Sequence, residues 1–144
     1  MNFKKSILLF CVILTLLSCK NGKVNDLSLS EGYLIEFEEF DSISSHEKIK
    51  IIDFRKEAAY ANGHIPGALQ LWRSDIEDPA AQSAGMMASP RQLEQLLQRL
   101  GIQPEDQLVV YDDKGGSDAA RLWWILQHYN FDQVYLLDGG LRSW

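Results

Sequence analysis

The chain is 144 residues long, 46% hydrophobic and 24% charged, which gives room for one packed domain and excludes a disordered, collagen-like or multi-span membrane protein. Its 14 Lys and Arg against 20 Asp and Glu leave a formal charge of −6. Loss of Lys4 and Lys5 with a cleaved leader makes the remainder two units more negative, so phosphate backbones are repelled and nucleic acid is excluded as a partner.

In chain order, the first segment is an address. Met1 to Lys5 carries two positive charges, Ile7 to Leu17 is an apolar run broken only by Thr15, and Ser18 precedes Cys19. This pattern predicts a secretory signal over residues 1–18. A transmembrane helix needs about 20 apolar residues, and this run is shorter. Leu16-Leu17-Ser18-Cys19 resembles the lipobox of bacterial lipoproteins, in which cleavage before the cysteine leaves it to carry acyl chains. Leu16 suits ordinary signal cleavage poorly, because small residues are wanted there. Residues 19–32 are then the lipidated cysteine and a polar, flexible tether, and residues 33–144 the domain. The expected location is the bacterial cell envelope, lipid-anchored through Cys19, facing the periplasm or on the outer membrane. The cysteines of the chain are Cys11 and Cys19. The domain therefore contains no thiol, which excludes a disulfide framework, a Cys-ligated zinc and a cysteine nucleophile within it.

Beyond residue 33, short β-branched or apolar runs alternate with helical stretches. Lys50–Asp53, Ala68–Leu71, Leu108–Tyr111 and Val134–Leu137 read as buried strands. Pro90 to Leu100 reads as a helix: Ser89 caps it with Gln92 three residues on, Pro90 suits the first turn, and Gly101 stops it. Leu93, Leu96, Leu97 and Leu100 form its apolar stripe. A second helix is predicted from about Ser117 to Tyr129, with Ala119, Ala120, Leu122, Trp123 and Leu126 inward. The alternation predicts an α/β fold, a mostly parallel sheet with helices on both faces. Such sheets bind ligands where strand C-termini meet helix N-termini, and three predicted strand ends carry acid: Asp53, the pair Asp112 and Asp113, and Asp138.

The most informative run is Asp112-Asp113-Lys114-Gly115-Gly116-Ser117-Asp118, between a strand and a helix. Backbone N–H groups of such a loop can converge on an anion, and Asp112 is placed to accept them and fill the site from within. Asp112, Asp113 and Asp118 against Lys114 alone predict that a free phosphate or thiosulfate is repelled at the loop mouth. Ser117 reads as the helix cap.

Four pieces, in order, resemble the rhodanese, or sulfurtransferase, family: Ile51-Ile52-Asp53-Phe54-Arg55; Gly63-His64-Ile65-Pro66-Gly67-Ala68; the strand and loop at 108–118 running on to Ala120-Arg121-Leu122-Trp123-Trp124; and Leu137-Asp138-Gly139-Gly140-Leu141-Arg142-Ser143-Trp144. The resemblance covers about residues 33–144 and implies the rhodanese fold. Active members place a cysteine directly after the central strand and carry sulfur on it as a persulfide; Asp112 stands at that position here. The run from Tyr111 to Trp124 resembles the N-terminal, non-catalytic half of tandem thiosulfate or 3-mercaptopyruvate sulfurtransferases. That resemblance implies a partner catalytic rhodanese domain, a degenerate active-site loop at 112–118 and no cofactor. Family members continue past the Gly-Gly and Trp with a closing helix. Its expected absence here predicts a C-terminally incomplete domain with one sheet face bare.

The remaining candidates read as structural. His64 lies in a turn leading into a strand, with Gly67 closing it; Asp53 and Arg55 form an ion or hydrogen-bond pair; Trp123 and Trp124 pack in the core, one indole finding a partner. Gly139 and Gly140 belong to the fold signature. His46 and His128 are solitary and exposed, with no second ligand at metal spacing. The alternatives to a sulfurtransferase-type domain are a stand-alone binding module and a carboxylate site for Mg²⁺ or phosphoryl groups built from Asp53, Asp112, Asp113 and Asp138. For a haloacid-type phosphatase, Lys114 stands where a carboxylate is needed.

Overall fold

The computed structural model describes Leu29 and residues 32–144. The leader, Cys19 and most of the tether lie outside the described residues. Five strands, β1 (Leu34–Ile35), β2 (Ile49–Asp53), β3 (Leu69–Gln70), β4 (Gln107–Tyr111) and β5 (Val134–Leu137), form one parallel sheet in the order β1-β5-β4-β2-β3. Four α-helices connect them: α1 (Phe37–Ile43), α2 (Glu57–Ala61), α3 (Pro90–Arg99) and α4 (Ala119–His128), with 3₁₀ turns at Arg73–Asp75 and Gly140–Arg142.

Strand side chains alternate between two cores, as the period of two requires. Ile52, Leu108, Val110 and Val134 pack under α3 and α4 with Leu93, Leu96, Leu122, Ile125 and Leu126. Ile49, Ile51, Val109 and Tyr111 face the other way, against Ile35, Phe40 of α1 and Ile65. Both faces are therefore covered, which corrects the expectation of a bare one: among the described strand residues, Leu34 of the edge strand alone is exposed.

Helix α3 forms as its sequence dictates. Ser89 and Gln92 make the reciprocal capping box, Pro90 stands in the first turn, and Gly101 follows at φ +71°, a left-handed conformation that glycine adopts without steric penalty. Helix α4 ends likewise at Asn130, φ +60°. The start of α4 departs from expectation. Asp118, not Ser117, occupies the N-cap position, and its side chain makes no capping bond; the Ser117 hydroxyl instead donates to the Lys114 carbonyl. Trp123 follows its expectation, its indole donating to the Val134 carbonyl at 3.1 Å. Trp124 does not; it is exposed and stacks on His128. Ile125 takes the buried place. His46 is half-buried, its Nδ1 accepting from the Lys48 amide.

Candidate functional site

Because all five strands run parallel, their C-termini share one edge, and the acids predicted there are brought to it. The loop after β4 is organised around Asp112, which is 1% exposed. Oδ1 accepts from the backbone N–H of Lys114 (2.9 Å) and Gly116 (2.8 Å); Oδ2 accepts from Asp118 (2.9 Å) and Ala119 (3.0 Å). The last two are first-turn donors of α4, so the cap that Ser117 was expected to supply comes from Asp112, six residues upstream of Asp118. Gly115 and Gly116 both have positive φ, +71° and +83°. They turn the chain so that successive amides aim inward, a nest for an anion. Burial by itself pushes the Asp112 carboxyl up, but the bonds from Ala119, Lys114, Gly116 and Asp118 together hold it below its ordinary value.

A second strand end locks against the first. Arg55 grips Asp53 through two parallel bonds, Nε to Oδ1 at 2.8 Å and Nη2 to Oδ2 at 2.5 Å, a bidentate pair that is the strong form of this interaction. The Tyr111 hydroxyl donates to Asp53 Oδ2 at 2.6 Å and accepts from the Ile65 amide at 3.1 Å. Burial, then the bond to Asp53, push the Tyr111 phenol up. Asp53 and Arg55 are thus the structural pair the sequence suggested; Tyr111 was missed as its third member. His64 stacks on Tyr60 with ring centroids 3.7 Å apart, beside its Nδ1 contact to the Tyr60 carbonyl. It stays in the turn, and Gly67 follows at φ +81°.

The third strand end seals the loop from below. Gly139 and Gly140 have φ of +72° and +58°, and a Cβ on Gly140 would drive into the Asp112 carbonyl oxygen. That carbonyl accepts from the Leu141 amide at 3.0 Å. The Gly-Gly pair therefore serves close backbone approach beneath Asp112.

The loop mouth holds cations beyond Lys114. Asp118 is bridged by Arg73 Nη1 at 3.0 Å and by Lys114 Nζ at 3.1 Å, and Asp113 lies 3.9 Å from Arg55 Nη1. Arg73, Lys114 and Arg55 thus stand near Asp112, Asp113 and Asp118, but Arg55 also carries Asp53, so three cations face four carboxylates. Arg73 lies 45 residues from Asp118 in sequence, and no local pattern linked them. Neither Arg73 nor Trp72, whose ring lies beneath Lys114 Nζ at 5.7 Å, was read as part of the site. No three His, Cys, Asp or Glu converge as metal ligands among the described residues. The acids of the Mg²⁺ or phosphoryl alternative are dispersed among other partners: Asp112 in the loop, Asp53 on Arg55 and Tyr111, and Asp138 exposed with the Gly139 amide on Oδ1. A roomier groove of about 560 Å³ lies between α3 and the end of α4 and shares no residue with the loop.

Comparison with known proteins follows the same outline. The model of the rhodanese-like domain matches residues 36–144. A thiosulfate sulfurtransferase of Azotobacter vinelandii is 36% identical over 113 residues, 77% of this chain and 41% of the relative. A 3-mercaptopyruvate sulfurtransferase of Escherichia coli is 33% identical over 85 residues, 59% of this chain and 30% of the relative. The crystal structure of the 3-mercaptopyruvate sulfotransferase SseA from Escherichia coli superposes with a TM-score of 0.71 at 28% identity, covering 78% of this chain and 47% of that one. The chain spans less than half the length of each of these relatives.

Proposed function

The chain belongs to the rhodanese-like domain family, and from that premise we propose that it is the non-catalytic rhodanese-like domain of a lipid-anchored sulfurtransferase of the thiosulfate or 3-mercaptopyruvate type. The single observation that carries this reading is the occupancy of the loop: the Asp112 carboxylate takes four backbone donors at 2.8–3.0 Å, where a persulfide-bearing cysteine is expected in an active member. A carboxylate carries no transferable sulfur, and residues 20–144 contain no cysteine.

In this reading the domain packs against a catalytic rhodanese domain and walls its cleft. The partner's thiolate attacks the sulfane sulfur of thiosulfate, the S–S bond breaks, sulfite leaves, and the persulfide sulfur passes to a thiol or cyanide. Cys19 supplies the membrane anchor in the cell envelope, more than one acyl chain being needed for stable attachment. The residues at the loop need no metal or organic cofactor for this role.

The test is thiocyanate formation from thiosulfate and cyanide by the 144-residue chain, alongside Cys19→Ala. The expected rate is that of the reaction without protein. Turnover that survives Cys19→Ala overturns the non-catalytic reading.

A further inference from the structure

Tyr33, Leu34 and Trp124 are 54%, 58% and 53% exposed, and they are not scattered. The Tyr33 ring meets Trp123 edge-on, with centroids 4.7 Å apart. Leu34 follows on β1, the outer strand of the sheet, and Trp124 sits about 100° further round α4 than Trp123. Trp123 is tied to the Val134 carbonyl at the start of β5. The group therefore lies where β1 and β5 begin, opposite the strand ends that carry the Asp112 loop. One exposed Leu or Trp is ordinary, but three aromatic rings and a leucine gathered on one edge mark a contact surface. Tyr and Trp, apolar bodies with a polar tip, suit the boundary between water and hydrocarbon.

We propose that the edge formed by Tyr33, Leu34, Trp123 and Trp124 lies on the lipid surface that holds the anchor, at the level of the headgroups. The proposal rests on the reading of Cys19 as that anchor. Only 13 residues separate Cys19 from Tyr33, a stretch that reaches at most about 50 Å. An acyl group on Cys19 therefore presents this edge to the lipid at an effective concentration on the order of millimolar, at which weak contact suffices. Glu36 and Asp132, two residues from Leu34 and Val134, are exposed, and the whole chain is acidic. Aromatic and apolar contact, not attraction to anionic headgroups, thus carries the docking. The arrangement fixes an orientation: with the starts of β1 and β5 toward the membrane, the Asp112 loop is turned to the water side, where a catalytic domain has room to pack.

The experiment reconstitutes the 144-residue chain, expressed in bacteria and taken from their membranes, into phosphatidylcholine vesicles whose acyl chains are brominated near the headgroup. Tryptophan emission is the readout, and the tryptophans are Trp72, Trp123, Trp124 and Trp144, all within the domain. Bromine should quench the emission, and Trp124→Ala should lower the quenched part by about half, the other share being that of Trp123 at the same interface. Trp144→Ala should leave it unchanged, because Trp144 is 52% exposed but lies beside Arg55 and His64 at the loop edge. Matching melting curves establish that the variants are folded. A membrane-bound chain without quenching, or with quenching that Trp124→Ala leaves intact, overturns the proposal while the anchor stands. A chain found only in the soluble fraction refutes the anchor instead. It is then mixed with the same vesicles at millimolar lipid, where Trp124-dependent quenching supports the surface and its absence overturns it. Phosphatidylglycerol in place of part of the phosphatidylcholine should not raise the quenching, and a rise overturns the aromatic basis. A Trp124 emission change that follows protein concentration without lipid assigns the face to a second copy of the chain and overturns the proposal as well.

Discussion

Replacing Asp112 by Ala removes one acceptor group and strands four donors. Two of them, the amides of Asp118 and Ala119, open α4, and losing a helix cap costs about 1 to 2 kcal/mol. The other two belong to Lys114 and Gly116, at the loop surface where water reaches them, so each costs about 0.5 to 1 kcal/mol. The variant should therefore lose about 2 to 4 kcal/mol at neutral pH. Asp112→Asn is close in shape yet should lose about as much, because its NH₂ faces two N–H donors with nothing to accept them. The sign with pH follows from linkage. The Asp112 pKa is lowered on folding, so its contribution is fully present above the unfolded value and fades as pH falls through the folded one. The assay is urea denaturation of the parent and both variants across that range. The gap between parent and Asp112→Ala should be constant near neutrality and narrow in acid, at unchanged slope. An Asp112→Asn variant as stable as the parent would refute the reasoning.

Other outcomes can be measured with equal directness. Asp112→Cys, made with Cys19→Ala, places a thiol among the same donors beside Arg73 and Lys114, and its alkylation rate against pH should report a pKa below the ordinary value of about 8.5; a value at or above that would mean the loop cannot hold an anion other than its own carboxylate. Gly140→Ala should cost about 3 kcal/mol or more in thermal unfolding, through backbone overlap with the Asp112 carbonyl and strain at positive φ. Gly115→Ala, with open space around its Cβ, should lose only about 1 kcal/mol from strain. Cys19→Ala should move the protein from the membrane fraction to the soluble envelope fraction, and sedimentation with membranes after a carbonate wash would count against the lipid anchor.

Legibility in the sequence tracked the strength of local signals. Strands β2, β4 and β5 were readable because Ile49–Asp53, Gln107–Tyr111 and Val134–Leu137 lie inside the sheet with both faces covered and so read as nearly continuous apolar runs, Lys50 and the terminal Asp53 being the charges within them. Helix α3 announced itself through Ser89, Pro90, Gln92 and Gly101. Helix α1 did not: it has no side-chain cap and buries Phe40 alone. Strand β1 has two residues and α2 five, with none of the α2 side chains fully buried, too short for any period to register. At the site, the Asp112 loop could be read because strand, glycines and helix are contiguous. The partnership of Tyr111 with Asp53 depends on the register of β4 beside β2, and that of Arg73 with Asp118 on a contact across 45 residues. Neither leaves a mark in local sequence, so Lys114 alone was counted among the cations of the loop.

The state of the Asp112 carboxylate itself is the most direct measure of whether the sulfur site is filled from within. A carbon-13 titration of side-chain carboxyl resonances, with Asp112 assigned by its loss in Asp112→Asn, should find it still ionised at pH values below the ordinary 3.8. Its resonance should move together with those of the Lys114, Gly116, Asp118 and Ala119 amides. A carboxyl that titrates at or above 3.8, without those four amides, would contradict an anion held in the nest.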